Sequence, residues 1–403
     1  MFNSENTGTD IPEISMVDPE VLRDPIAAYG RARELNPVVK LQAPGFGSIW
    51  AVTRHADAKT MLNDPRLGMT ADSWNQRIPE DIRPYLLTMS HMDGPEHTRL
   101  RRLALRAFTA RRAAARRDLI RHNAEQLLDA LPGHAEQGTV DLLKHFAQPL
   151  PTFVVGDVMG IPAPDRPRWR EYVAGMSSGG QTYDEALRAA IGGAREVIAL
   201  RREQPGDDLI SDLLRAQAED AGQISDTELI TMVWHTVFAA QDNLANFIAN
   251  SVVALLSHPE QLAALRKDPD LMPRAVEELM RWRPPLLLTA IRYALEDFEL
   301  CGAQVRAGEP VVAVIASANR DPRAFADPDL LDVGRPPGAA VHFGFGHGAH
   351  YCIGASLAFV EAEVALGALL SRFPDLALAV PADQVPRLPN PGSWHLTALP
   401  VTL

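Results

Sequence analysis

Cysteine is scarce. Only Cys301 and Cys352 occur in 403 residues. They could form at most one bridge, which excludes a small disulfide-stapled fold and fits a reducing compartment. No run of about eighteen apolar residues is present, so no membrane span is expected. The opening residues MFNSENTGTDIPEIS have neither a basic n-region nor an apolar stretch and do not read as a secretory signal. A cytoplasmic protein is therefore expected. Positive charge is also in short supply, 39 Lys and Arg against 51 Asp and Glu for a formal charge of −12. That balance argues against nucleic acid as a macromolecular partner. No internal repeat or low-complexity tract occurs. Apolar residues at 46% and charged residues at 22% are ordinary globular usage and exclude a disordered or collagen-like chain.

What is present is mostly helical pattern. Apolar residues recur at helical spacing over His97–Leu131, Thr182–Gln204, Asp226–Leu256 and Pro259–Arg281. Strand signals are fewer: Gly47–Val52, Phe298–Leu300 before a Cys301-Gly302 turn, Pro310–Ile315 and Leu396–Leu403. The expected fold class is mainly α, an α+β arrangement with a minor antiparallel β region, without βαβ alternation. Residues 1–15 are polar and expected to be disordered. Residues 16–403 show no linker and are expected to form one domain.

The chemistry concentrates in Phe343-Gly-Phe-Gly-His-Gly-Ala-His-Tyr-Cys-Ile-Gly354. Glycines at this density let a backbone approach something flat or bulky. Cys352 stands just before a helical pattern, Ala355–Leu370, where amides and the helix dipole favour a thiolate. A thiolate there is a good metal ligand. By residue type alone three readings stay open. Haem iron needs one axial thiolate and a close glycine-rich backbone. Zinc would use His342, His347, His350 and Cys352, at an unusual spacing. A plain glycine loop capping a helix needs neither.

Phe345–Ala355 closely resembles the cysteine-ligand loop of bacterial cytochromes P-450. Glu278-Leu-Met-Arg281 looks like that family's E-x-x-R, with Arg335 where the third member of its charge cluster lies. His97-Thr-Arg-Leu-Arg101 resembles the haem-propionate motif, and Arg292 resembles the propionate arginine after the E-x-x-R helix. The resemblance runs from about residue 17 to the end. It implies a helix-rich triangular prism and haem b bound through the Cys352 thiolate. Phe345 and Gly354 would then lie beside the sulfur, and His97, Arg101, Arg292 and His350 on the propionates. Glu278, Arg281 and Arg335 would be structural. It further implies dioxygen as co-substrate and ferredoxin with ferredoxin reductase as electron donors.

The same resemblance places Asp226–Leu256 over the distal side of the haem. Ala239 and Ala240 match its small-residue notch and Asp242 its acid. Asn243 stands where the family usually has threonine. An amide hydrogen-bonds but relays protons less readily than a hydroxyl. This departure puts ordinary threonine-assisted hydroxylation in doubt. It leaves room for oxidative C–C or C–N coupling of an indole or phenol, for instance in a cyclic dipeptide. Phe359 replaces a frequent arginine and bears only on the redox-partner face. Substrate contacts are expected from Trp74, Met89, His235, Phe238, Ala239, Leu287, Leu288, Thr289 and Trp394, a mixture suited to a compact, partly polar natural product. Nine arginines between Arg99 and Arg121 offer a basic face to an acidic ferredoxin. The rival readings are a non-catalytic haem-binding protein of the same fold and a zinc-stabilised helical interaction protein.

Overall fold

The computed structural model describes residues 11–69, 79–178, 180–220, 222–338 and 340–403. The chain forms two compact units. Among the described residues, the first takes in those up to 69, 250–352 and 380–398, and the second those from 79 to 249, 353–379 and 399–403.

The strands are β1 (Glu13–Ser15), β2 (Val38–Ala43), β3 (Gly47–Val52), β4 (Leu67–Gly68), β5 (Val140–Asp141), β6 (Arg292–Ala294), β7 (Phe298–Leu300), β8 (Ala303–Val305), β9 (Pro310–Ala313), β10 (Ala377–Leu378) and β11 (Pro400–Thr402). In the first unit six of them form one sheet in the order β1-β2-β3-β9-β6-β4. β2 and β3 are a hairpin pairing Val38 with Val52 through Ala43 with Gly47. The sheet is mixed, because β1 runs parallel to β2 and β3 parallel to β9. Residues 13–15, expected within the disordered N-terminus, are therefore a paired strand. The Pro12 carbonyl also accepts from the Lys40 amide.

Alternation along β2, β3 and β9 sends side chains to two separate cores. Val38, Trp50, Val52, Val311 and Ala313 belong to one. Val39, Leu41, Ile49, Ala51 and Val312 belong to the other, under the Pro25–Leu35 helix with Tyr29 and Ala32. A sheet buried on both faces reads as an apolar run with little polar alternation. That is how Pro310–Ile315 looks in the sequence.

The second unit is helical, with β5, β11 and β10 as a small antiparallel sheet. Two expected long helices are interrupted. The 97–131 pattern divides into Gly94–Leu105, Ala110–Ala115 and Arg117–Ala130. Thr109 caps the second of these through its hydroxyl, which accepts from Arg112 N at 3.3 Å. In the first unit the 259–281 pattern breaks into Pro259–Lys267 and Met272–Trp282. Pro269 forces Asp268 out of the helical region, to φ −134° and ψ 86°. Of the Leu396–Leu403 run only Pro400–Thr402 is strand. Asp226–Leu256 is one unbroken helix, as expected. Ala355–Arg372 is helical, two residues longer than its pattern. Among the described residues no helix is long and apolar enough to cross a membrane.

Candidate active site

The Glu278 carboxylate is nearly fully buried. It takes Arg281 Nε at 2.7 Å on one oxygen and Nη2 at 2.8 Å on the other. Arg335 Nε reaches the first oxygen at 3.0 Å. A buried carboxylate is tolerated only when it is paired and its lone pairs are filled. The two guanidiniums also collect carbonyls: Arg281 those of Asn319, Pro328 and Leu330, and Arg335 those of Ala326, Asp327 and Leu330. The cluster thereby fixes the chain from 319 to 335. Asn319, which the sequence reading missed, carries that rigidity onward. Its side-chain oxygen accepts from Phe343 N at 2.7 Å, at the entrance of the cysteine loop. Its only sequence signal is an amide closing the apolar run Val311–Ala318.

Within the loop, Gly346 N donates to Phe343 O at 2.8 Å and Cys352 N to Phe345 O at 2.8 Å. Gly346 and Gly348 have φ +73° and +74°, a region that favours glycine. A Cβ on Gly348 would lie 2.8 Å from both Leu62 O and Asn63 Oδ1, and one on Gly344 would lie 2.5 Å from Met280 Cγ. Both glycines are needed for close approach. The Leu62 carbonyl also accepts from buried Arg292 Nη1 at 2.8 Å, so Arg292 and the loop share one anchor. Cys352 and His350 are half-buried, and so is Phe345, whose ring lies 6.4 Å from that of Tyr351. Neither cysteine is in a disulfide. Gly354 is the N-cap residue of the Ala355–Arg372 helix, which puts Cys352 three residues ahead of its first turn.

This donor set fits a haem. It offers one thiolate ahead of a helix, a backbone kept close by glycines, and a buried arginine held beside it. The zinc alternative fails on geometry. His342 is engaged by Glu277 at 3.0 Å and by Gly344 N at 3.1 Å. Among the described residues no three metal-ligating side chains gather. Burial, with Lys59, His55 and Arg292 adding positive charge, pushes the His347 imidazole down.

In the second unit, His97 is buried and Arg101 half-buried one turn later on Gly94–Leu105. On Asp226–Leu256, Trp234, Val237, Gln241, Leu244 and Ala245 are buried. His235, Phe238, Ala240, Asp242 and Asn243 are only partly covered, and Ala239 is exposed. His235, Ala239 and Asn243 follow one another at i, i+4, i+8 and so share a face. Asp242 accepts from Ser177 Oγ at 2.6 Å, a partner the sequence did not reveal. Burial, with His91 adding to it, pushes His235 down to about 4, so it is neutral at pH 7. His235 and Met89 line one cavity with Thr88, Leu100, Thr231 and Met232.

The remaining substrate candidates fall elsewhere. Leu287 is wholly buried in the core under the sheet, with Leu288 packed against it. Thr289 is tied to β9, its N donating to Ala313 O and its hydroxyl accepting from Ala313 N. Trp394 is stacked between Arg283 and Arg387. Each of the four thus also has packing or hydrogen-bond partners within the first unit. Trp74 lies outside the described residues.

The arginine run is also partly consumed. Arg99 pairs with Glu96 and Glu228, Arg112 with Asp212, and Arg117 with Glu363. Arg102, Arg106, Arg111 and Arg121 are exposed.

Three comparisons identify the family. The cytochrome P450 family model matches residues 164–393. Cytochrome P450 107B1 of Saccharopolyspora erythraea is 37% identical over 394 residues, covering 94% of this chain and 95% of its own. The solved structure of PksS, the cytochrome P450 of the Bacillus subtilis 168 bacillaene polyketide synthase, is similar with a TM-score of 0.88 at 35% identity, covering 96% of this chain and 98% of PksS. CxnD, the cytochrome P450 enzyme for C–S bond formation in chuangxinmycin biosynthesis, has a TM-score of 0.86 at 32% identity, covering 99% and 98%. The chain belongs to the cytochrome P450 family, whose members are oxidoreductases that bind haem iron through a cysteine thiolate.

Proposed function

We propose that the chain oxidises a compact, partly polar ring substrate of secondary metabolism with dioxygen, using electrons from a ferredoxin and its reductase in the cytoplasm. The observation that carries this reading is the His235–Ala239–Asn243 stripe, only partly covered at His235 and Asn243 and exposed at Ala239, on a helix whose opposite side is buried. It combines a neutral imidazole, a small gap and an amide, which suits a ring bearing a hydroxyl or N–H.

Haem, when bound, would supply dioxygen binding and activation. Cys352 is the proposed ligand, with Phe345 and Gly354 beside it. His97, Arg101, Arg292 and His350 are the proposed donors to the propionates. Asn243 holds a water or a polar substrate atom through its amide, but it lacks the hydroxyl that passes a proton on. The Asp242 carboxylate is engaged by Ser177. Two outcomes follow. The substrate completes the hydrogen-bond network with its own O–H or N–H and is hydroxylated. Alternatively it loses two hydrogens and couples, with dioxygen leaving as water. The C–S bond formation named for CxnD supports the coupling outcome. Arg102, Arg106, Arg111 and Arg121, exposed and without an ion pair among the described residues, are the proposed contact for an acidic ferredoxin.

The test is an absorbance titration of the holoprotein. The panel holds tryptophan- and tyrosine-containing cyclic dipeptides, phenols, macrolactones and fatty acids. A low-to-high-spin shift with one aromatic class is expected. Turnover with NAD(P)H, ferredoxin and reductase then separates gain of one oxygen from loss of two hydrogens. A shift with fatty acids alone would overturn the ring-substrate reading.

A further inference from the structure

Arg283 follows directly on the Met272–Trp282 helix. Its guanidinium lies 4.8 Å from the Trp282 ring centroid and 4.7 Å from that of Trp394. Its Nε is buried without a hydrogen-bond partner. Among the described residues the side chain donates no hydrogen bond and joins no ion pair. Two more guanidiniums stand on the same indoles, Arg320 at 4.7 Å from Trp282 and Arg387 at 4.4 Å from Trp394. Those two are satisfied. Arg320 donates to Trp282 O at 2.6 Å and pairs with Asp329 at 3.3 Å. Arg387 donates to Leu22 O at 2.7 Å.

The cluster is short of negative charge. Asp24 acts on all three arginines, but its carboxylate caps the Pro25–Leu35 helix, accepting from Ala27 N at 3.0 Å. Asp329 is largely exposed. Burial, then the charge of Arg320, pushes Arg283 down to about 10, so it remains a cation at neutral pH. Stacking on an indole face is favourable for a cation but fills none of the five guanidinium donors. Arg283 is partly covered overall, but its buried Nε is a donor of a cation left without an acceptor, which is costly, and a planar guanidinium fork matches carboxylate and phosphate oxygens.

We propose that Arg283, flanked by Arg320 and Arg387 and walled by Trp282 and Trp394, binds an oxyanion, a carboxylate or phosphate group. The site uses none of the cysteine-loop residues and does not depend on which substrate is oxidised. It also accounts for Trp394, a residue the sequence reading assigned to substrate.

The test compares the melting of wild-type and Arg283→Met holoprotein in sodium chloride, sodium phosphate and sodium acetate at matched ionic strength. Wild type is expected to show a saturable rise in Tm over chloride, with a saturable change in tryptophan fluorescence. Both should be absent in Arg283→Met. An anion at a hundred times its Kd raises the folding constant about a hundredfold. A response to phosphate alone assigns a phosphate group, and a response to acetate assigns a carboxylate. General salting-out by phosphate would raise both proteins equally. Equal responses in the two proteins, or no saturable response in wild type, overturn the proposal. Should Arg283→Met fail to fold, Arg387→Met decides: apparent affinity several-fold weaker is expected, and unchanged affinity overturns the site.

Discussion

Asn319 holds the entrance of the cysteine loop through Phe343, whose amide donates to its side-chain oxygen at 2.7 Å. The Asn319 carbonyl accepts Arg281 Nη1 at 2.9 Å. One residue therefore joins the buried Glu278–Arg281–Arg335 cluster to the loop that carries Cys352.

Asn319→Ala strips the Phe343 amide of its acceptor in a buried place. The expected loss is about 1–3 kcal/mol of stability, with a smaller fraction of protein giving the thiolate-type carbon-monoxide spectrum. Denaturant melts and that spectrum check it. A variant with wild-type values on both would show that the loop is held by other contacts.

Cys352→Ala removes the proposed iron ligand and should abolish the thiolate-type spectrum. Far-ultraviolet circular dichroism is expected to retain the helical signal. Persistence of the spectrum would reject Cys352 as ligand.

Asn243→Ala removes an amide from the partly covered stripe. Product formed per NAD(P)H consumed is expected to fall several-fold, with hydrogen peroxide rising. Asn243→Thr is expected to favour oxygen insertion over coupling, because a hydroxyl both donates and accepts. Unchanged coupling efficiency in both variants would remove Asn243 from the reaction.

Arg102→Glu combined with Arg106→Glu reverses two exposed charges that serve no ion pair within the described residues. Turnover driven by ferredoxin should lose roughly tenfold in kcat/KM at low salt, with the gap narrowing as salt is added. Substrate-induced spin shifts should not change. Equal loss at low and high salt would point to a folding defect instead of docking.

Glu361 lies on Ala355–Arg372 with 3% of its surface exposed, and its Oε2 has no hydrogen-bond partner. Burial raises its carboxyl well above the ordinary 4.5. The folded chain keeps a proton that the unfolded chain releases above about 4.5. Its contribution to stability is therefore complete below that pH and declines as pH rises towards the folded value. Glu361→Gln keeps the shape without the titration. Its Tm is expected to exceed that of wild type by an amount that grows from pH 5 to pH 8. A gap independent of pH would contradict the assignment.

The residues of the cysteine loop, the E-x-x-R pair and the Asp226–Leu256 helix were legible in the sequence. Each is local: glycine spacing, an i,i+3 pair and a 3.6-residue period are written in neighbouring residues. Arg335 was placed by family resemblance, 54 residues beyond Arg281.

Other features depend on chain segments far apart. The loop's anchor is Leu62, which meets Gly348 and Arg292 from more than 200 residues away. Ser177 finds Asp242 across 65 residues, and Arg283 meets Trp394 only because the 391–395 turn returns to the end of its helix. The breaks at 106–109 and 268–271 fall inside continuous helical patterns. Leu287 reads from its position as a pocket residue, and the fold packs it into the layer beneath the sheet with Tyr29 and Val312. Local pattern decided which residues are helix, loop or thiolate. Tertiary packing decided which polar groups are satisfied, which stay partly covered, and which arginine keeps a buried Nε without an acceptor, since burial and pairing are properties of the assembled neighbourhood and not of the neighbouring letters.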